Sequence, residues 1–108
     1  MLCCWPAPGG DEFEMAGLVK AECRLVKPPR VAASPVALEC RHFQTVALPD
    51  DNGVVDDWLV IGRVIGVHID DRFIKEGRVD TAAMRPIARL GYSEYATVTE
   101  VWRMRRPD

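Results

Sequence analysis

The stretch VIGRVIGVHI, residues 60 to 69, constrains this chain more than any other feature. With two-residue alternation, Val60, Gly62, Val64, Gly66 and His68 fall on one face of a strand. Ile61, Arg63, Ile65, Val67 and Ile69 fall on the other, which is nearly all aliphatic and is expected to face the core. The first face is flattened by two glycines and ends in a histidine, followed by Asp70 and Asp71. Such a face admits something flat: another stretch of backbone, a bound ring or a packed aromatic. The glycines also suit a strand that coils in a barrel.

The neighbouring segments extend the β reading. In PVALECRHFQTVAL, residues 35 to 48, Val36, Leu38 and Cys40 share one face, and Glu39 and Arg41 share the other. PDDNGVVDD, residues 49 to 57, reads as a long loop joining the two strands into a hairpin. The final run, YSEYATVTEVWRM, is rich in Tyr, Thr, Val and Trp and predicts a third long strand. Short helices are expected in DEFEMAGL (11–18), with acids early and Gly17 late, and in DTAAMR, capped by Asp80 and interrupted by Pro86. Pro28-Pro29 forbids a helix between them. Residues 70 to 80 read as a loop with a short helical turn, and RLGY as a turn at Gly91. The expected fold is mainly β, antiparallel strands with short helices, in a chain of 108 residues that suits one small domain. Residues 1–10, rich in Pro and Gly, read as an unstructured lead.

Several function classes drop out. A net charge of -2 provides no global field to recruit nucleic acid. No apolar run approaches the roughly 20 residues of a membrane helix. Cys3, Cys4, Cys23 and Cys40 read as free thiols of a cytoplasmic protein. Cys40-Arg41-His42, with Cys23 and His68 elsewhere, lacks the paired spacing of a zinc site, so no metal is expected. Neither a nucleophile elbow nor a Walker or Rossmann phosphate loop is present. Asp70 and Asp71 would point to opposite faces of a strand and so would not converge as an acid–base pair; they read as a loop start, pairing with Arg72 or a backbone amide.

The candidates that remain each have two readings. His68 is either the polar end of a structural strand or a group that titrates near neutral pH at a site. Arg89, beside Gly91 and Tyr92, is either part of a structural turn or an anchor for an anionic or aromatic ligand. Lys20, Arg24, Lys27 and Arg30, and the terminal Arg103, Arg105 and Arg106, are solvated rims or phosphate contacts.

Taken in order, DEFEMAGL, RLVKPPRVAASPVALECR, WLVIGRVIGVHIDDRF and VDTAAMRPIARLGYSEYA resemble the flavin reductase-like family with the FMN-binding split β-barrel. SPVALECR, the G-x-V-x-G-V-H strand and RPIARLGY-x-x-Y carry most of the resemblance. It implies part of a split β-barrel, a homodimer, FMN or FAD as cofactor and NADH or NADPH as reductant. It also implies a flavin-dependent monooxygenase as partner. His68, Arg89, Gly91 and Tyr92 are then the cofactor-binding residues, and Gly62 and Gly66 allow a flat surface for the ring. The resemblance starts only at Asp11, so residues 11–108 are expected to be the C-terminal portion of the domain, truncated at its N-terminus. Two functions stay open: a flavin reductase-like enzyme, active if the other half is supplied, or a non-catalytic β module lacking a complete flavin site.

Overall fold

The computed structural model describes residues 9–108. The expected lead over residues 1–10 lies outside the described residues except for Gly9 and Gly10. The chain divides into two compact units, one ending at His68 and one running from Ile69 to Asp108.

The first unit opens with helix α1 (Glu12–Ala16). Asp11 caps it by accepting from the Phe13 N–H at 2.9 Å, and Gly17 ends it at a φ of 68°. The Leu18 N–H reaches back to the Phe13 carbonyl at 2.9 Å, the bond that closes a helix on a left-handed glycine. Two short strands follow, β1 (Lys20–Ala21) and β2 (Arg30–Val31), paired antiparallel. Between them residues 22–29 run without helix, as Pro28-Pro29 requires.

Strands β3 (Val36–Pro49) and β4 (Val55–Ile69) pair with each other and form the longest element of the chain. Only Asp50–Val54 join them, and so short a link permits only an antiparallel hairpin. The connection is therefore shorter than the expected 49–57 loop. Asp50 makes it so: its Oδ1 accepts from the Asn52 and Val54 N–H groups at 2.8 and 2.9 Å, and Gly53 takes a φ of 82°. With the turn closed locally, Val55, Asp56 and Asp57 are drawn into β4.

In the second unit Asp70 caps a 3-10 turn over Asp71–Phe73 and pairs with Arg72. Strands β5 (Ile74–Lys75) and β6 (Arg78–Val79) form a hairpin across Glu76 and Gly77, both at positive φ (54° and 74°). Positive φ at both central residues is the turn whose twist matches paired strands. Helix α2 (Thr81–Met84) is capped by Asp80, as expected. Strands β7 (Ile87–Arg89) and β8 (Tyr95–Thr97) close the unit in antiparallel register, Arg89 opposite Tyr95.

The third long strand expected over 92–104 is not formed. Pairing stops at β8 because β7 is only three residues long, and the last bond runs from the Val98 N–H to the Pro86 carbonyl at 2.8 Å. Residues 98–108 have no strand partner among the described residues and are mostly exposed.

The hydrophobic face expected of β4 is only partly covered. Ile61, Ile65 and Ile69 are half-buried, while Val67 is exposed. Among the described residues no apolar side chain is buried, and the one buried side chain is Glu39. The architecture is mainly β, built from antiparallel pairs with short helices.

Candidate functional site

Glu39 lies in the middle of an apolar alternation, where a carboxylate reads as solvent-facing. It is instead 2% exposed, while its neighbours Leu38 and Cys40 are exposed. The reason is its set of donors. Oε1 accepts from the Leu25 and Val26 N–H groups at 2.6 and 3.2 Å, and Oε2 accepts from the Arg24 N–H at 3.1 Å. Oε2 also meets Nε2 of His68. A buried carboxylate is tolerated when each oxygen is satisfied in this way. Burial pushes the Glu39 carboxyl upward, but the backbone donors of Leu25 and Arg24, then His68 and Val26, outweigh it and bring the pKa to about 2.

Two glycines of β4 lie against β3 and the loop at Leu25. A Cβ built on Gly66 would stand 3.2 Å from Leu25 Cδ1, 3.5 Å from Glu39 Cβ and 3.7 Å from its Cδ. One built on Gly62 would stand 3.1 Å from Cys40 Cβ. Both glycines lie on one face by alternation, yet they meet consecutive residues of β3. Strict pleating of both strands does not allow that, so the hairpin bends or bulges here. The flat object against the Gly66 face is the chain's own carboxylate and leucine, which corrects the expectation that Gly62 and Gly66 leave a surface for a flavin ring.

His68 is therefore no isolated polar strand end. Its ring is 22% exposed, and the partner on Nε2 is an acceptor-only carboxylate. Nε2 must then carry the proton.

Close to the same loop a groove of about 420 Å³ is walled by Phe13, Val26, Pro29, Val31 and Leu38, with Cys23 and Cys40 also on its surface. Arg30 lines it too, and its Nε is buried without a hydrogen-bond partner among the described residues.

In the second unit, Arg89, Gly91 and Tyr92 are brought together at the β7–β8 connection. The Leu90 N–H donates to the Glu94 carbonyl at 2.9 Å and closes that turn. Tyr92 sits at a φ of 57°, and its side chain is 93% exposed. Arg89 Nη1 donates to the Tyr95 hydroxyl at 3.1 Å, and the guanidinium lies 5.7 Å from the Tyr95 ring centroid. One donor is thus engaged, leaving the others of the planar fork for an anion. His68 belongs to the other unit.

Sequence reasoning missed Glu39 and Tyr95. The signal for Glu39 was the flattened G-x-H face, which needed a partner. The signal for Tyr95 was the pairing register with Arg89.

No family model matches the chain. The solved structures that it resembles include one with a split barrel domain, and the fold is that of part of a split β-barrel. Nitrilotriacetate monooxygenase component B from Bacillus cereus aligns over 86% of this chain and 47% of its own, with a TM-score of 0.77 and 27% identity. The 2-nitrobenzoate 2-nitroreductase of Pseudomonas fluorescens aligns over 92% of this chain and 50% of its own, with a TM-score of 0.72 and 25% identity. A Shewanella frigidimarina protein assigned as a flavin reductase with a split barrel domain covers 97% of this chain and 52% of its own, with a TM-score of 0.78. At 22% identity it speaks to the fold alone.

Among curated proteins the similarity is to uncharacterized ones. One from Halalkalibacterium halodurans is 32% identical over 93% of this chain and 48% of its own length. Another, from Bacillus subtilis, is 28% identical over 93% of this chain and 50% of its own. The chain spans about half the length of the curated relatives it matches.

Proposed function

We propose that the protein is a flavin-binding, flavin reductase-like oxidoreductase that uses FMN with NADH or NADPH. The observation that supports this most is the similarity to component B and to the nitroreductase across 86% and 92% of the chain. The name of component B also motivates a flavin-dependent monooxygenase as the recipient of reduced flavin.

The second unit carries a donor set that fits a phosphorylated aromatic ligand. Arg89 has unspent guanidinium donors for a phosphate, Gly91 leaves open space above the backbone, and Tyr92 offers an exposed ring for stacking. In the first unit His68 is assigned to the flavin or the nicotinamide. When bound, the flavin supplies the hydride-accepting chemistry, and the protein supplies placement and electrostatics.

A second reading follows from the burial pattern. Among the described residues no apolar side chain is buried, which suits a β module that functions only on another polypeptide surface. One experiment separates the two. FMN is titrated into the purified chain while flavin fluorescence is followed, and NADH and NADPH oxidation is then measured with FMN present. Saturable quenching with nicotinamide oxidation is expected. Absence of both overturns the enzyme reading and leaves the module.

A further inference from the structure

We propose that Glu39 is the positioning residue for His68: its carboxylate holds the proton on Nε2 and leaves Nδ1 as the lone-pair nitrogen presented to FMN or to the nicotinamide. The inference rests on the ligand-facing role given to His68 above and adds how the ring is set.

The geometry has four parts. Both oxygens of Glu39 are engaged by consecutive backbone N–H groups of residues 24–26, so the carboxylate cannot rotate about its last bond without abandoning them. The oxygen shared with the Arg24 N–H is the one that meets His68, which fixes the ring's direction as well as its proton. The Glu39 stem lies over Gly66, two residues before His68 on the same face, its Cβ 3.5 Å from where a Gly66 Cβ would stand. The opposite ring nitrogen, Nδ1, has no hydrogen-bond partner among the described residues, and the ring remains partly exposed.

An isosteric change inverts the proton. In Glu39→Gln the amide oxygen is best used against Leu25 and Val26, because two backbone donors converge there against one, the Arg24 N–H, at the other position, and none of the three can give up its proton. The amide NH2 then faces both His68 and the Arg24 N–H: the backbone donor loses its acceptor, and His68 relieves its own donor–donor clash by moving its proton to Nδ1. The nitrogen offered to the ligand changes from acceptor to donor.

The test is long-range 1H–15N NMR of His68 at a pH high enough for a neutral ring, in the wild-type chain and in Glu39→Gln, alongside FMN and NADH titrations. The expected result is Nε2–H in the wild type and Nδ1–H in the variant. FMN or NADH affinity should fall roughly three- to tenfold, the worth of one hydrogen bond. In a His68→Ala background, Glu39→Gln should cause no further loss of affinity. A wild-type ring protonated on Nδ1, or an unaltered ring in Glu39→Gln, overturns the positioning role; the wild-type spectrum decides even if the variant does not fold. A ring that switches tautomer while FMN and NADH affinities stay fixed overturns the ligand-facing role of His68, and this inference with it.

Discussion

Gly62 faces Cys40 so closely that a methyl built on the glycine would stand 3.1 Å from the cysteine Cβ. That atom is fixed to the β3 backbone and cannot swing aside. At Gly66 the nearest atom is Leu25 Cδ1 at 3.2 Å, the tip of a flexible side chain.

The two glycines should therefore differ. Gly62→Ala forces the strands of the hairpin apart and should cost about 1–3 kcal/mol, as overpacking does. Gly66→Ala lets Leu25 rotate away and gains about 0.4–1 kcal/mol from a less flexible unfolded chain, leaving it near neutral. Urea unfolding of both variants checks the order. A Gly66→Ala chain less stable than Gly62→Ala contradicts this account of the contacts.

Acid should loosen the loop over residues 24–26. The folded Glu39 carboxyl titrates at about 2 against an ordinary value of 4.5, so its folded pKa is depressed. The sign follows from linkage: its contribution to stability is complete above pH 4.5 and is lost as pH falls from there toward 2. Asp11, held down by its hydrogen bond to Lys20, and Asp70, held down by Arg72, act in the same direction. Those two pairs are exposed and fade with salt, whereas Glu39 is buried. In high salt the remaining acid dependence of the melting temperature should be that of Glu39 and should vanish in Glu39→Gln. Amide exchange at Arg24, Leu25 and Val26 should quicken in Glu39→Ala, which leaves their N–H groups without an acceptor.

The turn between β5 and β6 contains a correctable strain. Glu76 occupies a left-handed conformation at a φ of 54°, ahead of Gly77 at 74°. Asparagine tolerates that conformation better, and Asn-Gly is the favoured pair for this turn. Glu76→Asn should stabilise the chain by about 0.5–1 kcal/mol, and Gly77→Ala should destabilise it by at least as much. Thermal melts of the two variants that move in the same direction would contradict the turn assignment.

Local elements were legible wherever one residue carries the instruction. Asp11 and Gly17 mark the ends of α1, Asp80 starts α2, and Asp70 pairs with Arg72 as the sequence suggests. The long hairpin was legible from alternation and from the PDDNGVVDD loop, though that loop was read as too long because Asp50 closes the turn locally. The buried role of Glu39 was not legible, because three of its donors are backbone amides, which leave no side-chain signature. The end of β8 was hidden for a related reason. Tyr, Thr, Val and Trp favour a strand, but a strand extends only as far as its partner, and β7 stops after three residues.

Arg89 offers the sharpest test of the proposed cofactor role. Its contacts with Tyr95, a hydrogen bond of 3.1 Å and a ring at 5.7 Å, are exposed, so Arg89→Ala should change stability by only about 0.5–1 kcal/mol. A charge-assisted bond to the FMN phosphate is worth about 1.5–3 kcal/mol, so the same variant should weaken FMN binding roughly ten- to a hundredfold. Riboflavin has the same ring and no phosphate, and its affinity should stay unchanged. Arg89→Lys should recover only part of the FMN affinity, because an ammonium lacks the planar fork. Tyr92→Ala should weaken riboflavin and FMN alike, and Tyr92→Phe should restore both, because the ring rather than the hydroxyl is assigned to stacking. Parallel fluorescence titrations with the two flavins read all of these. Equal losses for riboflavin and FMN in Arg89→Ala would remove the phosphate from this turn.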